Sequence, residues 1–209
     1  MNDPKRFLGG LCFITGRTLS SMSYSEMALA ALRGGVKWIQ FRAKEMSRKE
    51  LYREALSLRD ITSSFNAVFI VNDHADIAAA VDADGVHLGQ DDLPLKEARK
   101  VVGRRIIGIS THSLKEAIDA SEGGADYIGF GPVFETMTKD AGVPKGLDVL
   151  TGIKRNAGLP VVPIGGISLG NLSSVIGTGV DTVAVSSAIL NGDIERNTSA
   201  FIKLLGSEI

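Results

Sequence analysis

Short apolar runs alternate with longer amphipathic stretches along almost the whole chain. Eight runs are strand-like in composition: LCFIT, WIQFR, AVFIV, GVHL, IIGIS, YIGFG, VVPIG and TVAVS. They are apolar nearly throughout, which is typical of parallel strands that are buried on both faces. The intervening stretches have helical spacing, as in residues 47–64, where Leu51, Ala55, Leu58 and Ile61 share one face. Helices are predicted at 25–33, 47–64, 75–81, 95–102, 113–122, 147–156, 172–177 and 194–205.

Eight successive strand-then-helix units favour an α/β fold of the (β/α)8 or TIM-barrel type, formed as a single domain over residues 1–209. Glycines that precede several strands fit the ends of the preceding helices. A doubly wound open sheet is the alternative. In a barrel the loops after the strands meet at one rim. We therefore expect Asp73 and Asp92, which follow the third and fourth runs, to face the same cavity.

Composition narrows the classes of function that the chain can have. Its 209 residues are 44% hydrophobic and 22% charged, which is enough apolar residue for a sizeable core. A net charge of −1 without blocks of like charge gives no surface for nucleic acid or an anionic membrane. The single cysteine, Cys12, excludes an intrachain disulfide and fits a reducing compartment. We expect a cytoplasmic protein, and the sequence leaves open whether it forms a homo-oligomer.

The second strand-like run continues into a cationic segment, IQFRAK. Gln40, Arg42 and Lys44 recur at every second position, so in an extended strand their side chains share one face. Two cations on the inner face of a buried strand would require an anion there, because unpaired buried charge is costly. An exposed edge strand is the alternative interpretation.

Oxygen ligands follow the third and fourth runs. Asn72, Asp73 and Asp92 offer the hard oxygen atoms that Mg²⁺ binds, and Mg²⁺ commonly takes one or two carboxylates plus phosphates and waters. Alternatively, Asp73 caps a helix beginning near Asp76, and Asp91 and Asp92 cap one beginning near position 94. The neighbouring cations favour a complex of Mg²⁺ with a diphosphate.

The last three strand-to-helix loops predict a second anion site. The segment GFGPVFETMTKDAG supplies Thr136, Thr138 and Lys139, and its length is typical of a lid, although a merely solvated loop is the alternative. IGGIS and VSSAI place glycine and serine after the seventh and eighth strands, where barrels commonly bind phosphate. The three histidines lack zinc-ligand spacing, and His87, which lies inside a strand, is predicted to be a hydrogen-bonded core or wall residue.

Six segments together resemble the thiamine phosphate synthase family along nearly the whole chain. They are IQFRAK, VNDHADIAAAVDADGVHLGQDDLP, GISTHSLKEA, GADYIGFGPVFETMTK, VVPIGGIS and VSSAI. The resemblance implies a (β/α)8 barrel that couples hydroxymethylpyrimidine diphosphate to a thiazole phosphate and releases pyrophosphate. It implies a dissociative reaction, in which pyrophosphate leaves before the thiazole nitrogen attacks.

The resemblance also implies roles for individual residues. Diphosphate contacts fall on Gln40, Arg42, Lys44, Asn72, Ser110 and Lys139, and Mg²⁺ ligands on Asp73 and Asp92. Thiazole-phosphate contacts fall on Thr136, Thr138, Gly166, Ser186 and Ser187. Of these, Arg42, Lys44, Ser110 and Lys139 are the expected catalytic groups.

Two positions depart from the family pattern. Ser186 stands where an aliphatic residue is more common, so its role is expected to rest on its backbone. Gly16 stands where many members carry an acidic residue. Two other functions remain as alternatives. One is a thiazole tautomerase relative, which tends to lack the full acidic pair and the TMTK run. The other is a barrel that binds a thiamine precursor without turnover.

Overall fold

A computed structural model describes residues 9–16, 20–136 and 142–208. Within these ranges eight strands form one parallel sheet in the order β7-β6-β5-β4-β3-β2-β1-β8. The strands are β1 Gly10–Ile14, β2 Trp38–Phe41, β3 Val68–Asn72, β4 Gly85–Leu88, β5 Ile106–Thr111, β6 Tyr127–Phe130, β7 Val161–Pro163 and β8 Thr182–Val185. All eight predicted strands are confirmed within two residues, and the sheet curls into a nearly closed TIM barrel.

The barrel wall has a seam between β7 and β8. These strands lie beside each other, but in the described part of the chain no ladder of backbone hydrogen bonds joins them. β7 ends at Pro163, which has no amide proton to contribute to a ladder. An ion pair spans the seam at its lower end, where Lys154 Nζ lies 3.2 Å from Asp181 Oδ2.

Helices cover the outside of the barrel. They are α1 Tyr24–Arg33, α2 Arg48–Ser64, α3 Ala75–Ala80, α4 Leu95–Val102, α5 Leu114–Glu122, α6 Gly146–Asn156, α7 Leu172–Ile176, α8 Ser187–Leu190 and α9 Ile194–Glu208. The eight predicted helices are present. A ninth helix, α8, was not predicted, because this single turn directly after β8 has four residues, too few for helical spacing to be visible. None of the described helices is long and apolar enough to cross a membrane.

Serine caps start the two helices that follow β1 and β2. Ser23 and Glu26 form a reciprocal capping box at α1, and Ser47 and Glu50 form another at α2. Each box satisfies amide groups that the first helical turn leaves without partners. These caps fix where the chain turns from the rim of the barrel back along its outer surface.

Two apolar clusters lie on opposite sides of the strands. The larger fills the space between strands and helices, whereas a smaller one lies inside the barrel and includes Trp38 and Tyr127. Above the smaller cluster the interior becomes polar. In the strand register Asn72 lies beside His87, His87 beside Gly108, and Gly108 beside Tyr127. Asn72 and His87 of this row line the cavity at the carboxyl rim, whereas Tyr127 is enclosed in the interior.

Glycine at position 108 makes room for an aromatic ring inside the barrel. A Cβ atom added there would lie 2.1 Å from Cζ of Tyr127, which is fully enclosed. Such overlap forces side chains and backbone to move. The interior thus accepts Tyr127 because its neighbour on β5 has no side chain.

We predict that Gly108→Ala lowers the free energy of unfolding by about 1–3 kcal/mol, the usual effect of overpacking. Gly152→Ala is the matched control, because Gly152 lies within α6 and an added Cβ meets nothing within 4 Å. That change should instead stabilise the protein by about 0.5–1 kcal/mol. Urea unfolding of both variants measures the difference, and equal effects would contradict the packing described here.

Candidate active site

A cavity of about 500 Å³ opens at the carboxyl ends of the strands. Eleven of the residues singled out in the sequence line it: Gln40, Arg42, Lys44, Asn72, Asp73, Asp92, Ser110, Thr136, Gly166, Ser186 and Ser187. Thr138 and Lys139 lie outside the described residues. The fold therefore brings residues from six of the strand-to-helix loops to one cavity, as the barrel interpretation predicted. Their individual roles stay predictions.

The cationic segment differs from its prediction in one respect. β2 ends at Phe41, so Arg42 and Lys44 lie in the following loop and not on the inner face of a strand. Arg42 is half-buried and Lys44 is exposed, so the argument from buried charge was wrong, although both side chains reach the cavity. The Arg42 amide donates a hydrogen bond of 3.1 Å to Thr15 Oγ1, which ties this loop to the end of β1.

A line of hydrogen bonds crosses the barrel interior toward the acidic residues. Burial raises the pKa of the Cys12 thiol, which stays protonated and lies 3.8 Å from Gln40 Oε1. Gln40 Nε2 donates to Asn72 Oδ1 at 2.6 Å, and Asn72 Nδ2 donates to the Asp73 carboxylate. Each amide is thus held in one orientation by a donor on one side and an acceptor on the other.

Asp73 and Asp92 form a close acidic pair. The backbone of Asp73 is left-handed, with φ of 66°, and its amide donates to the His87 carbonyl at 2.8 Å. Asp92 Oδ2 accepts a hydrogen bond of 2.6 Å from the Gly89 amide. Burial, and then the charge and hydrogen bond of Asp92, raise the pKa of Asp73, while the Asn72 hydrogen bond and the Arg42 charge oppose this. A second negative charge this close disfavours ionisation of Asp73, and a bound cation would relieve that repulsion.

The structure overturns the helix-cap interpretation of these carboxylates. α3 begins after His74 and α4 begins after Pro94, and neither helix has a side-chain hydrogen bond at its cap. The carboxylates face the cavity and each other instead. The pair suits Mg²⁺, which needs few protein carboxylates. Within the described ranges no group of three or more His, Cys, Asp or Glu side chains is placed to hold a metal, so further ligands would come from substrate and water.

The loops after β6 and β7 support each other on the far side of the cavity. The amides of Val133 and Phe134 donate to Ile164 and Gly165 at 2.9 and 3.0 Å. Gly166 has φ of 65°, and a Cβ atom added there would lie 2.3 Å from the Glu135 carbonyl oxygen. Glycine is therefore required at position 166 by the contact between the two loops, which also fixes the backbone facing the cavity.

The loop after β8 completes this side. Ser186 precedes α8 and Ser187 is its first residue, and both are half-buried at the cavity wall. Gly16 lies beside this loop, and a Cβ atom added there would lie 3.9 Å from Ser186 Oγ. A Cβ atom at this position would therefore make only ordinary van der Waals contacts.

His87 is a hydrogen-bonded wall residue, as predicted. Its Nδ1 lies 2.9 Å from the Tyr127 hydroxyl and its Nε2 lies 2.9 Å from Ser110 Oγ. Burial lowers the pKa of His87 to about 4, although the charge of Asp92 opposes this, so the ring is neutral. His112 lies at the cavity with Nδ1 2.8 Å from the Gly131 carbonyl oxygen.

Sequence reasoning missed Thr15 and Tyr127. Thr15 follows the first strand and was not separated from its apolar neighbours. Tyr127 could have been found from two short patterns, because Gly-x-Ser in IGIS and Tyr-x-Gly in YIGF are complementary when aligned. In the observed register Gly108 faces Tyr127 and Ser110 faces Gly129.

Comparison with known proteins gives consistent results. A family model described as thiamine monophosphate synthase matches residues 11–189. Thiamine-phosphate synthase from Chloroflexus aurantiacus is 46% identical over 172 residues, covering 82% of this chain and 80% of that protein. The protein of that name from Methanospirillum hungatei is 44% identical over 200 residues, covering 94% and 97%.

A solved structure agrees in fold and in sequence. Thiamine phosphate pyrophosphorylase from Pyrococcus furiosus superimposes with a TM-score of 0.91 at 40% identity, covering 98% of each chain. The match thus extends over the strands and loops that build the cavity. With its barrel, its rim of cations and carboxylates and these relatives, the chain belongs to the thiamine monophosphate synthase family.

Proposed function

We propose that this protein is a transferase that joins hydroxymethylpyrimidine diphosphate to hydroxyethylthiazole phosphate, forming thiamine phosphate and pyrophosphate in the cytoplasm. The observation that carries the proposal is the division of one cavity into two sides. Cations and the acidic pair lie after β2 to β4, Ser110 lies at the end of β5, and glycine and hydroxyl groups lie after β6 to β8. The cationic and acidic side suits a diphosphate with Mg²⁺, and the glycine and hydroxyl side suits a monophosphate.

The diphosphate would bind on the cationic side. Arg42 and Lys44 offset its charge, and Gln40, Asn72 and Ser110 offer fixed hydrogen-bonding groups. Asp73 and Asp92 would hold Mg²⁺, which neutralises charge on the departing pyrophosphate. The raised pKa of Asp73 supports this assignment, since a cation bound beside the two carboxylates would offset the burial and the Asp92 charge that raise it.

The monophosphate would bind on the opposite side. The loops after β7 and β8 are the usual phosphate site of this fold, and Gly166, Ser186 and Ser187 stand there. Thr136 reaches the cavity from the loop after β6. Thr138 and Lys139 follow it in sequence, and the resemblance assigns Lys139 to the pyrophosphate.

The reaction requires little covalent chemistry from the protein. The bond between the pyrimidine methylene carbon and the diphosphate oxygen breaks, and its electron pair leaves with pyrophosphate. The thiazole nitrogen then donates its lone pair to that carbon and becomes the cationic nitrogen of the product. Cationic and hydroxyl groups stabilise the leaving group, while the cavity holds the two reactants together. No side-chain nucleophile is needed.

The direct test is coupled turnover. Purified protein with both substrates and Mg²⁺ should release pyrophosphate and thiamine phosphate in equal amounts, and neither substrate alone should react. A tautomerase would convert a thiazole precursor alone. A binding protein would shift in melting temperature with substrate and release no pyrophosphate. Either result would reject the proposed activity.

The acidic pair makes a second prediction. Asp73→Asn and Asp92→Asn should each lower kcat on the order of 10²-fold, the loss typical of one electrostatic contact to the transition state. The double variant should be little worse, because residues that act as one unit are not additive. Asparagine is chosen because it tolerates the left-handed backbone of position 73.

Melting temperatures in the presence and absence of Mg²⁺ give a reading independent of turnover. Mg²⁺ should raise the melting temperature of the wild type and of Asp60→Asn, an exposed control on α2, but not of the two cavity variants. Because the pKa of Asp73 is raised, the Mg²⁺ effect should grow as pH rises above the usual carboxyl range, since Mg²⁺ binds the deprotonated Asp73 carboxylate. Unchanged Mg²⁺ stabilisation in both variants would remove the metal from this pair.

A third prediction separates the two sides of the cavity. Arg42→Gln should raise KM for the diphosphate substrate about 10- to 100-fold, the range expected for a charged hydrogen bond, with KM for the thiazole phosphate little changed. Ser187→Ala should raise KM for the thiazole phosphate about 2- to 10-fold and spare the other substrate. Steady-state kinetics with each substrate varied in turn measures both effects. Parallel changes for the two substrates would contradict two separate subsites.

A further inference from the structure

The interior of the barrel holds a buried pair, Tyr127 and His87, that contacts the proposed diphosphate side through Ser110. The Tyr127 hydroxyl lies 2.9 Å from His87 Nδ1, and His87 Nε2 lies 2.9 Å from Ser110 Oγ. Two glycines leave space for the rings. A Cβ atom at Gly108 would lie 2.1 Å from the Tyr127 ring, and one at Gly129 would lie 2.9 Å from His87 Cε1. The arrangement is thus built into strands β4, β5 and β6.

Burial determines the direction of the first hydrogen bond. Tyr127 is 1% exposed and does not line the cavity, so its hydroxyl proton has no access to solvent there. Across residues 9–16, 20–136 and 142–208, His87 Nδ1 is the one hydrogen-bond partner of that hydroxyl. A buried hydroxyl donor left without an acceptor is costly. The Tyr127 hydroxyl therefore donates, and Nδ1 accepts with its lone pair.

The second hydrogen bond then follows from the chemistry of imidazole. A neutral ring carries one proton, so an Nδ1 that accepts leaves the proton on Nε2. Both hydrogen bonds of this buried ring go to hydroxyl groups and neither goes to a carboxylate, so the site fits the neutral form. Nε2 therefore donates to Ser110 Oγ. In the opposite tautomer, with the proton on Nδ1, Nε2 would accept and the Ser110 hydroxyl would have to donate its proton to His87.

Ser110 faces the cavity with its own proton free for another acceptor. His87 is the side chain that contacts Ser110 Oγ in the described chain, while Gln90 Nε2 donates to the Ser110 carbonyl oxygen at 2.5 Å. One lone pair of the Ser110 hydroxyl thus accepts from His87, and the Ser110 backbone is held by Gln90. The hydroxyl proton is then available to an acceptor in the cavity, which Ser110 lines.

We propose that Tyr127 and His87 are positioning residues that fix the Nε2–H tautomer and so keep the Ser110 hydroxyl as a hydrogen-bond donor toward the diphosphate. This role rests on the function proposed above. A donor that is already oriented needs no reorganisation when charge develops on the leaving group. Neither Tyr127 nor His87 exchanges a proton with substrate.

Nitrogen-15 NMR of uniformly labelled wild-type protein tests the tautomer directly. The chain has three histidines, so His74→Gln and His112→Gln variants assign the His87 signals. Near neutral pH we expect a protonated Nε2 and an unprotonated Nδ1. In Tyr127→Phe the Nδ1 nitrogen loses its donor, and signals of the second tautomer should appear. A wild-type ring protonated on Nδ1, alone or together with Nε2, would overturn the proposal.

A double-mutant cycle tests whether the pair acts through Ser110. Tyr127→Phe should lower kcat about tenfold, the effect of one hydrogen bond, with little change in KM for the thiazole phosphate. In a Ser110→Ala background the same change should cost less than twofold. Tyr24→Phe is the matched control, because Tyr24 packs edge-on against Phe41 away from the cavity and should keep wild-type kcat. Equal losses from Tyr127→Phe with and without Ser110 would show a purely structural role and overturn the proposal.

The two measurements separate failure of this inference from failure of the proposed function. If the wild type does not couple the substrates, the proposed function fails, and the tautomer seen by NMR still decides the hydrogen-bond direction. If the wild type is active and His87 is protonated on Nδ1, the positioning role alone fails.

Discussion

The common direction of all eight strands is the constraint on which the rest of this structure depends. Because every strand ends at the same rim, residues that are far apart in sequence, such as Gln40 and Ser187, line one cavity. A second constraint acts inside the barrel, where side chains are closely packed and water is excluded. Polar side chains there must satisfy one another. The hydrogen bonds from Cys12 through Gln40 and Asn72 to Asp73 show how this is done without an isolated charge.

The same requirement links structure to chemistry. A chain of hydrogen bonds between buried side chains is also rigid, since each donor and acceptor restricts its neighbour. Side chains at the rim that are hydrogen-bonded to this network are held in fixed positions as well. Asp73 keeps a left-handed backbone because its amide is bonded to the His87 carbonyl, and its side chain is held by Asn72. A reaction that depends on placing charges rather than on covalent catalysis benefits most from such a support.

The sequence was sufficient for the strands, for eight of the helices and for the residues that meet at the cavity, because burial on both faces leaves a strong apolar signal. It was insufficient where local patterns have several meanings. Period-two spacing at Gln40, Arg42 and Lys44 suggested a strand that in fact ends at Phe41. Asp73 and Asp92 resembled caps, and only the absence of cap hydrogen bonds at α3 and α4 decided against this. Tyr127 depended on strand register, which no single segment reveals.

The seam between β7 and β8 links binding at the proposed thiazole-phosphate side to the rigidity of the barrel wall. The loops that carry Gly166 and Ser187 extend from the two strands that no backbone ladder joins in the described chain. A phosphate that accepts hydrogen bonds from both loops would link β7 to β8 at the rim, where no backbone hydrogen bonds join these two strands in the described chain. Ligand binding would then stiffen the barrel wall itself as well as fill a cavity. Amide protons of β8 should exchange with solvent more slowly when the thiazole phosphate is bound.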